Sequence, residues 1–215
     1  GIIKVLKSKK NVYRARTIII ATGANPRLSG FKNEKELRGR GISYCATCDA
    51  KYYVDKDVIV IGGGNSAVEE ADFISRFAAK VTVIHQFDKF QANKQAQDKL
   101  LSNPRVKVMF SHEPRAFLRK EDKITVKVQD LKTNATADVI TDGVFIFVGM
   151  KPNIEVFGGI LELDNFGYLT TDEDMRTNIP GVYAVGDVRS KKYRQITTAI
   201  SDGTIAAINI TRELD

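Results

Sequence analysis

Histidine and cysteine are scarce, with two of each among 215 residues, and no apolar run approaches the length of a membrane span. Each shortage removes a class of function. A structural zinc site needs about four nitrogen or sulfur ligands, and His85 and His112 lie far from Cys45 and Cys48 in no finger-like spacing. No metal centre is therefore expected. Two cysteines cannot build the disulfide framework of a small secreted domain, and they suit a reducing cytoplasm. Nothing in the chain reads as a signal peptide, a short repeat or a low-complexity stretch.

Charge is plentiful but dispersed. Lysine and arginine number 33 against 26 acidic residues, a formal net charge of +7, in a chain that is 43% hydrophobic and 27% charged. The basic residues are scattered (Lys4, Lys7, Lys9 and Lys10; Arg38 and Arg40; Lys191, Lys192 and Arg194) with few aromatics between them. With no recognition motif, this reads as a solvated lysine-rich surface before a nucleic-acid footprint, with an acidic protein partner as a third option.

The two cysteines stand together, in Cys45-Ala46-Thr47-Cys48. A disulfide closing so tight a loop adds little stability, because loop-closure stabilisation grows with loop length. Electron transfer is the better purpose. The spacing brings both sulfurs within bonding reach at a turn or first helical turn, where backbone N–H groups lower a thiol pKa. Asp49 follows directly and can carry the proton that exchange must move. The competing readings are a metal half-site and two inert buried cysteines.

Hydrophobic patterning gives the organisation. The first 24 residues read as two strands joined by a Lys/Asn turn, the second an apolar run, Ile18 to Ala21, suited to burial on both faces. After a loop marked by Pro26, Gly30, Gly39 and Gly41 comes a buried strand at 57–61, then Gly62-Gly63-Gly64, a helix from Asn65 to about Phe77 and a strand at 81–85. That is a βαβ unit. A helix at 94–101 and strands at 106–110, 124–128, 138–140 and 144–148 complete an α/β domain. Strands at 168–170 and 181–185 and a helix at 197–214 form the tail.

Gly62-x-Gly64-x-x-Ala67 lies between a strand and a helix, the setting of a dinucleotide fingerprint. The first glycine allows the tight turn, the second lets the backbone approach a pyrophosphate, and Ala67 lets helix and sheet pack closely. The N–H groups of Asn65 and Ser66 open the helix, where phosphate charge is stabilised. An acid about 20 residues on would select a ribose 2′-hydroxyl, and arginines a 2′-phosphate. Here His85-Gln86-Phe87-Asp88-Lys89-Phe90-Gln91 holds no arginine, Asp88 comes slightly late, and Phe87 stands where adenosine would lie.

Taken together, ATGA at 21–24, GRGISYCATCDA at 39–50, VIVIGGGNSAVEEA at 58–71, VGMKPN at 148–153, IPGVYAVGDV at 179–188 and YRQ at 193–195 resemble the low-molecular-weight thioredoxin reductases of bacterial type. A CATC pair just before the second dinucleotide fold separates that group from the dihydrolipoamide dehydrogenase and glutathione reductase type. The resemblance implies an α/β fold of two Rossmann-like FAD- and NAD(P)-binding domains, three-layer ββα, of the flavin disulfide reductase type, the first incomplete. Residues 1–24 and 154–215 would form the partial FAD-binding domain, and 25–153 the NAD(P)-binding-like domain carrying the thiols.

The resemblance also implies residue roles. FAD is held partly by Gly186, Asp187, Arg194 and Gln195, with Thr22 and Gly23 at the edge of its site. Cys48 faces the flavin, Cys45 attacks the disulfide of thioredoxin, and Asp49 is acid and base. The full-length protein would be a cytoplasmic homodimer without nucleic-acid or membrane partners. Two departures from the family pattern qualify this. The amino-terminal flavin fingerprint is absent, so the chain is expected to begin inside the flavin domain and to hold flavin weakly. Members that use NADPH carry a HRRxxxR pattern where this chain has His85, Gln86, Phe87 and Gln91, as in the ferredoxin-dependent branch. The donor is therefore left open among NADPH, NADH and ferredoxin. Alternatives are the reductase component of a peroxide-reducing system and a redox-inactive nucleotide-fold fragment.

Overall fold

The computed structural model describes residues 3–157 and 159–214. Gly1, Ile2, Gly158 and Asp215, which fall in the ranges assigned above to the first domain, lie outside the described residues. The chain forms two compact units, Gly1–Asn25 with Met150–Asp215, and Pro26–Gly149.

The Pro26–Gly149 unit is built on a five-stranded parallel sheet in the order Ile42–Ser43, Gly143–Ile146, Asp57–Ile61, Lys80–His85, Val106–Phe110. Strands of continuous apolar residues need both faces covered, and side chains alternate across the pleat. Val58, Val60, Val81, Val83 and Phe145 accordingly pack into one core with Val68, Ala71 and Ile74 of helix Asn65–Ile74 and Leu100 of helix Lys94–Leu101. Ile59, Ile61, Ile84, Val144 and Ile146 face the other way, onto Phe117, Ile124, Val126 and Val128 of an antiparallel three-stranded meander. The result is the three-layer ββα arrangement that the resemblance implies.

The meander runs His112–Lys120, Lys123–Asp130, Thr136–Thr141. Its first strand goes unread in the sequence pattern, because Pro114 and the three basic residues Arg115, Arg119 and Lys120 mask the alternation. The structure accommodates Pro114 with a bulge: Lys127 pairs with Ala116 but Val128 with Pro114, which leaves Arg115 unopposed. Helix Asn65–Ile74 ends before Phe77, where Ser75 turns its hydroxyl back onto the Asp72 carbonyl at 2.6 Å.

The other unit pairs Ile18–Ile20 with Val182–Ala184 in parallel and carries a separate hairpin, Lys4–Lys7 with Val12–Ala15. The opening segment thus holds three strands where two were expected. Ile20 is buried but Ile19 is 45% exposed, so this strand is not covered on both faces. Residues 168–170 form isolated bridges from Leu169 to Leu163 and to Arg189 in place of the expected strand. Helix Ile196–Leu214 packs Ala206 against Met175, Tyr183 and Val185. No helix among the described residues is long and apolar enough to cross a membrane.

Candidate functional site

Ser43 ends the first strand of the parallel sheet, and the chain then turns through Cys45 into the short helix Ala46–Asp49. Cys45 and Cys48 are joined as a disulfide, with their Cα atoms 5.3 Å apart. Cys45 is the extended N-cap of that turn, and its Sγ accepts the Cys48 N–H at 3.2 Å. Cys45 is half-buried and Cys48 exposed. Asp49 donates its N–H to the Cys45 carbonyl at 3.2 Å, and its Oδ2 accepts the Ser43 hydroxyl at 2.6 Å. The same Ser43 oxygen accepts the Cys45 N–H at 3.1 Å.

The residue between them is also anchored. Tyr44 donates its phenol to Glu34 at 2.7 Å, and Glu34 further accepts the Ser29 amide and hydroxyl and the Gly30 amide. Glu34 is only 2% exposed. Burial alone would push its pKa up, but the bonds from Tyr44, Ser29 and Gly30 outweigh it and hold the carboxyl below its usual range. Burial, together with Glu34, pushes the Tyr44 phenol up.

The glycine-rich turn opens on a cavity of about 550 Å³ whose lining includes Gly62, Gly64, Asn65, Ser66, Ala67 and Gln86. The glycines differ in what they permit. At Gly62, with φ +137°, an added Cβ would come within 2.4 Å of the Phe147 carbonyl oxygen, and at Gly63 within 2.3 Å of the His85 ring. At Gly64 it would meet nothing within 4 Å, so this backbone is open to a ligand. Gly64 caps helix Asn65–Ile74 with no side-chain hydrogen bond, leaving the helix start without that competitor for an anion. The Asn65 side-chain Oδ1 is engaged, accepting the Asn93 N–H at 2.7 Å.

His85 is 5% exposed, stacked near Phe90, and its Nε2 has no hydrogen-bond partner. Burial, opposed by a bond to the Lys89 backbone, lowers its pKa. Phe87 is not among the cavity-lining residues: it is 45% exposed and sets its ring edge-on to His85 at 5.4 Å. Gln91 does line the cavity, and so does Arg27, a cation from a segment that the fingerprint spacing does not reach.

In the other unit, Thr22 and Gly23 are committed to Asn153. The Thr22 hydroxyl donates to the Asn153 carbonyl at 2.6 Å, the Asn153 amide returns to the Thr22 carbonyl at 2.9 Å, and Asn153 N–H reaches Gly23 O at 2.9 Å. Gly186 turns with φ +74°, and its N–H donates to Asp202 Oδ2 at 2.9 Å. Asp202 is 6% exposed and also pairs Arg189 at 3.2 Å and Lys191 at 2.9 Å. Beside this closed cluster, Asp187 Oδ1 is buried with no hydrogen-bond partner, the Lys191 ammonium standing 3.8 Å off. Arg194 Nε is buried and unpartnered too, its guanidinium 3.8 Å over the Tyr168 ring. Gln195 lies beside the start of the last helix, its N–H donating to the Thr198 hydroxyl at 3.1 Å.

Buried polar groups left unpaired are rare and call for a partner. Asp187 offers an acceptor for a ligand hydroxyl and Arg194 a donor for a ligand oxygen, which fits the polyol and phosphate groups of a flavin nucleotide. Ser43, Glu34, Asn153, Lys191 and Asp202 were not singled out from sequence. Their partners lie in other segments, and the KPN and ISDG contexts are the only local signals. No group of His, Cys, Asp and Glu able to hold a metal occurs among the described residues.

The profile of the pyridine nucleotide-disulphide oxidoreductase family matches residues 2–203. A thioredoxin reductase of Peptoclostridium acidaminophilum is 44% identical over 96% of this chain and 68% of its own length. A 34.2 kDa protein encoded in the rubredoxin operon of Clostridium pasteurianum is 42% identical over 95% of this chain and 67% of its own length. The crystal structure of thioredoxin reductase from Streptococcus pyogenes superposes with a TM-score of 0.92 at 41% identity, covering all of this chain and 70% of that one. The chain thus spans about two thirds of the length of these relatives. The chain belongs to the pyridine nucleotide-disulphide oxidoreductase family, among the thioredoxin reductases.

Proposed function

We propose that this chain carries the exchange centre of a flavin-dependent thioredoxin-disulfide reductase. The observation that carries the reading is the Cys45–Cys48 disulfide, whose Cys45 sulfur receives a backbone N–H. A hydrogen bond to sulfur favours the thiolate over the thiol, which selects Cys45 as the attacking residue. In the reduced pair, the Cys45 thiol loses its proton to Asp49 and attacks one sulfur of the thioredoxin disulfide. That bond breaks, a mixed disulfide forms, and the departing thioredoxin sulfur is protonated. Cys48 then attacks Cys45 Sγ, Cys45–Cys48 re-forms, and the second thioredoxin sulfur leaves and takes up a proton. Two electrons and two protons pass from the chain's dithiol, which is oxidised, to thioredoxin, which is reduced.

FAD, when bound, supplies the two electrons that reopen the Cys45–Cys48 bond. Gly186, Asp187, Arg194 and Gln195 would hold it, with Asp187 and Arg194 using their unpartnered atoms and Thr22 and Gly23 at the site's edge. The cavity at Gly62, Gly64, Asn65, Ser66 and Ala67 suits a nicotinamide nucleotide. Gln86 and Gln91 supply no cation there for a 2′-phosphate, so NADPH gains no advantage over NADH unless Arg27, which lines the same cavity, supplies the charge. Reduced ferredoxin is the alternative donor, an acidic carrier suited to a surface of net charge +7. The two-cysteine content fits a cytoplasmic enzyme, and a homodimer is the expected state of the full-length protein.

The test is anaerobic reduction of full-length enzyme by NADPH, NADH and reduced ferredoxin, followed by flavin absorbance and by thioredoxin thiol formation. Thioredoxin reduction by at least one donor, without preference for NADPH over NADH, is expected. Failure with all three refutes the function, and tight, selective use of NADPH refutes the donor reading.

A further inference from the structure

Asp49 has been given the proton, yet its neighbours in sequence do not aim its carboxylate. Ser43 does. This side chain comes from the end of the first parallel strand, six residues upstream, and is 6% exposed. One hydroxyl makes three contacts: it donates to Asp49 Oδ2 at 2.6 Å, lies 3.4 Å from the Cys45 carbonyl oxygen, a weaker acceptor, and accepts the Cys45 N–H at 3.1 Å. The carboxylate and the backbone of the attacking cysteine are thereby fixed to a single oxygen.

We infer that Ser43 is a positioning residue for thiol–disulfide exchange, holding the Asp49 carboxylate in register with the Cys45 backbone. The inference rests on the disulfide-exchange reading above. A hydroxyl donated to a carboxylate oxygen fixes the direction in which that carboxylate points. The groups around this carboxylate do not replace that donor. Tyr53, on the turn that follows, has its phenol pushed up by burial and by the Asp49 charge. Arg119 and Asp142 act on Tyr53 with opposite sign, and the Lys56 ammonium lies 5.9 Å over its ring. None of them donates a hydrogen bond to the Asp49 carboxylate, and Ser43 does.

Tyr44 provides the control. It anchors the same stretch of backbone, one residue nearer Cys45, but to Glu34. A merely structural role for Ser43 would be shared by Tyr44, whereas a role through Asp49 would not.

The 215-residue chain, reduced with dithiothreitol and desalted without oxygen, is mixed with 5,5′-dithiobis(2-nitrobenzoate), and the exchange rate is followed at about pH 7. For Ser43→Ala the rate should fall by about tenfold, the size expected for one lost hydrogen bond to a charged group. Ser43→Thr, which keeps the hydroxyl, should restore the wild-type rate, and Tyr44→Phe should leave it unchanged. On an Asp49→Asn background, Ser43→Ala should add nothing. An unchanged rate in Ser43→Ala, an equal loss in Tyr44→Phe, or additivity with Asp49→Asn overturns the inference. Should Ser43→Ala not fold, Ser43→Thr carries the test, and a slowed rate there overturns it. A wild-type chain that exchanges without re-forming Cys45–Cys48 refutes the underlying function, and the inference with it.

Discussion

The turn at Cys45–Cys48 and the corner at Gly186-Asp187 are both polar and half-hidden, yet they end their hydrogen-bond accounts differently. Around the thiols the side-chain groups are met from within the chain: Asp49 by Ser43, Tyr44 by Glu34, and Cys45 Sγ by Cys48 N–H. At the corner, Asp202 is fully engaged, while Asp187 Oδ1 and Arg194 Nε are buried without hydrogen-bond partners, the Lys191 ammonium standing 3.8 Å from Asp187. The difference separates two kinds of site. Under the proposed function, chemistry done by the chain's own atoms is closed by the chain, whereas the surface assigned to a bound group keeps polar atoms open for it.

The thiol turn is the place to break this picture most completely. Cys45→Ser and Cys48→Ser should each abolish thioredoxin reduction in full-length enzyme, because exchange needs an attacking and a resolving sulfur. Only Cys48→Ser should accumulate the thioredoxin mixed disulfide on a non-reducing gel. Turnover in Cys48→Ser near the wild-type rate would remove the assignment of roles.

At the corner, Asp202→Ala leaves Arg189 and Lys191 buried without their carboxylate and frees the Gly186 N–H. A loss of about 3 kcal/mol is expected, the size typical of a buried ion pair broken on one side. Urea unfolding would read it, and a change below about 1 kcal/mol would show the cluster to be wetter than its burial indicates.

The glycines of the nucleotide turn sharpen the contrast within one segment. Gly62→Ala drives a Cβ toward the Phe147 carbonyl at φ +137°, so its unfolding midpoint should fall, by about 1 to 3 kcal/mol of stability. Gly64→Ala has open space and should leave the midpoint unchanged while weakening nucleotide binding in a titration. Equal loss of stability in the two variants would mean that Gly64, too, serves packing.

Glu34 offers the smallest effect and a pH signature. Its pKa is held below the ordinary 4.5, so its contribution is present above that pH and is lost as pH falls through the lower, folded-state value. Glu34→Gln should destabilise by about 1 to 2 kcal/mol at neutral pH. The gap from wild type should close in unfolding curves taken below pH 4.5. A gap independent of pH would show that the carboxyl is not ionised in the folded protein.

Much of the fold was legible because its signals are local. The buried strands at 57–61 and 80–85 and the turn between them could be read from apolar runs and glycines, and so could the spacing of Cys45 and Cys48. What escaped depends on partners distant in sequence. Strand His112–Lys120 is recognisable only once its bulge at Arg115 absorbs Pro114. Asp202 and Glu34 look like ordinary surface acids until the turns they tie down are in view. Ile19 shows the limit of an apolar run, since hydrophobicity fixes a strand but not which of its faces is covered.

A single-turnover transfer decides whether the thiol turn does what its geometry allows. An excess of the chain, reduced and freed of reductant, is mixed with oxidised thioredoxin without oxygen, and free thiols are counted on both proteins by mass. Thioredoxin is predicted to gain two thiols for each Cys45–Cys48 disulfide formed. Thioredoxin left oxidised, with the chain still a dithiol, would contradict the proposed function.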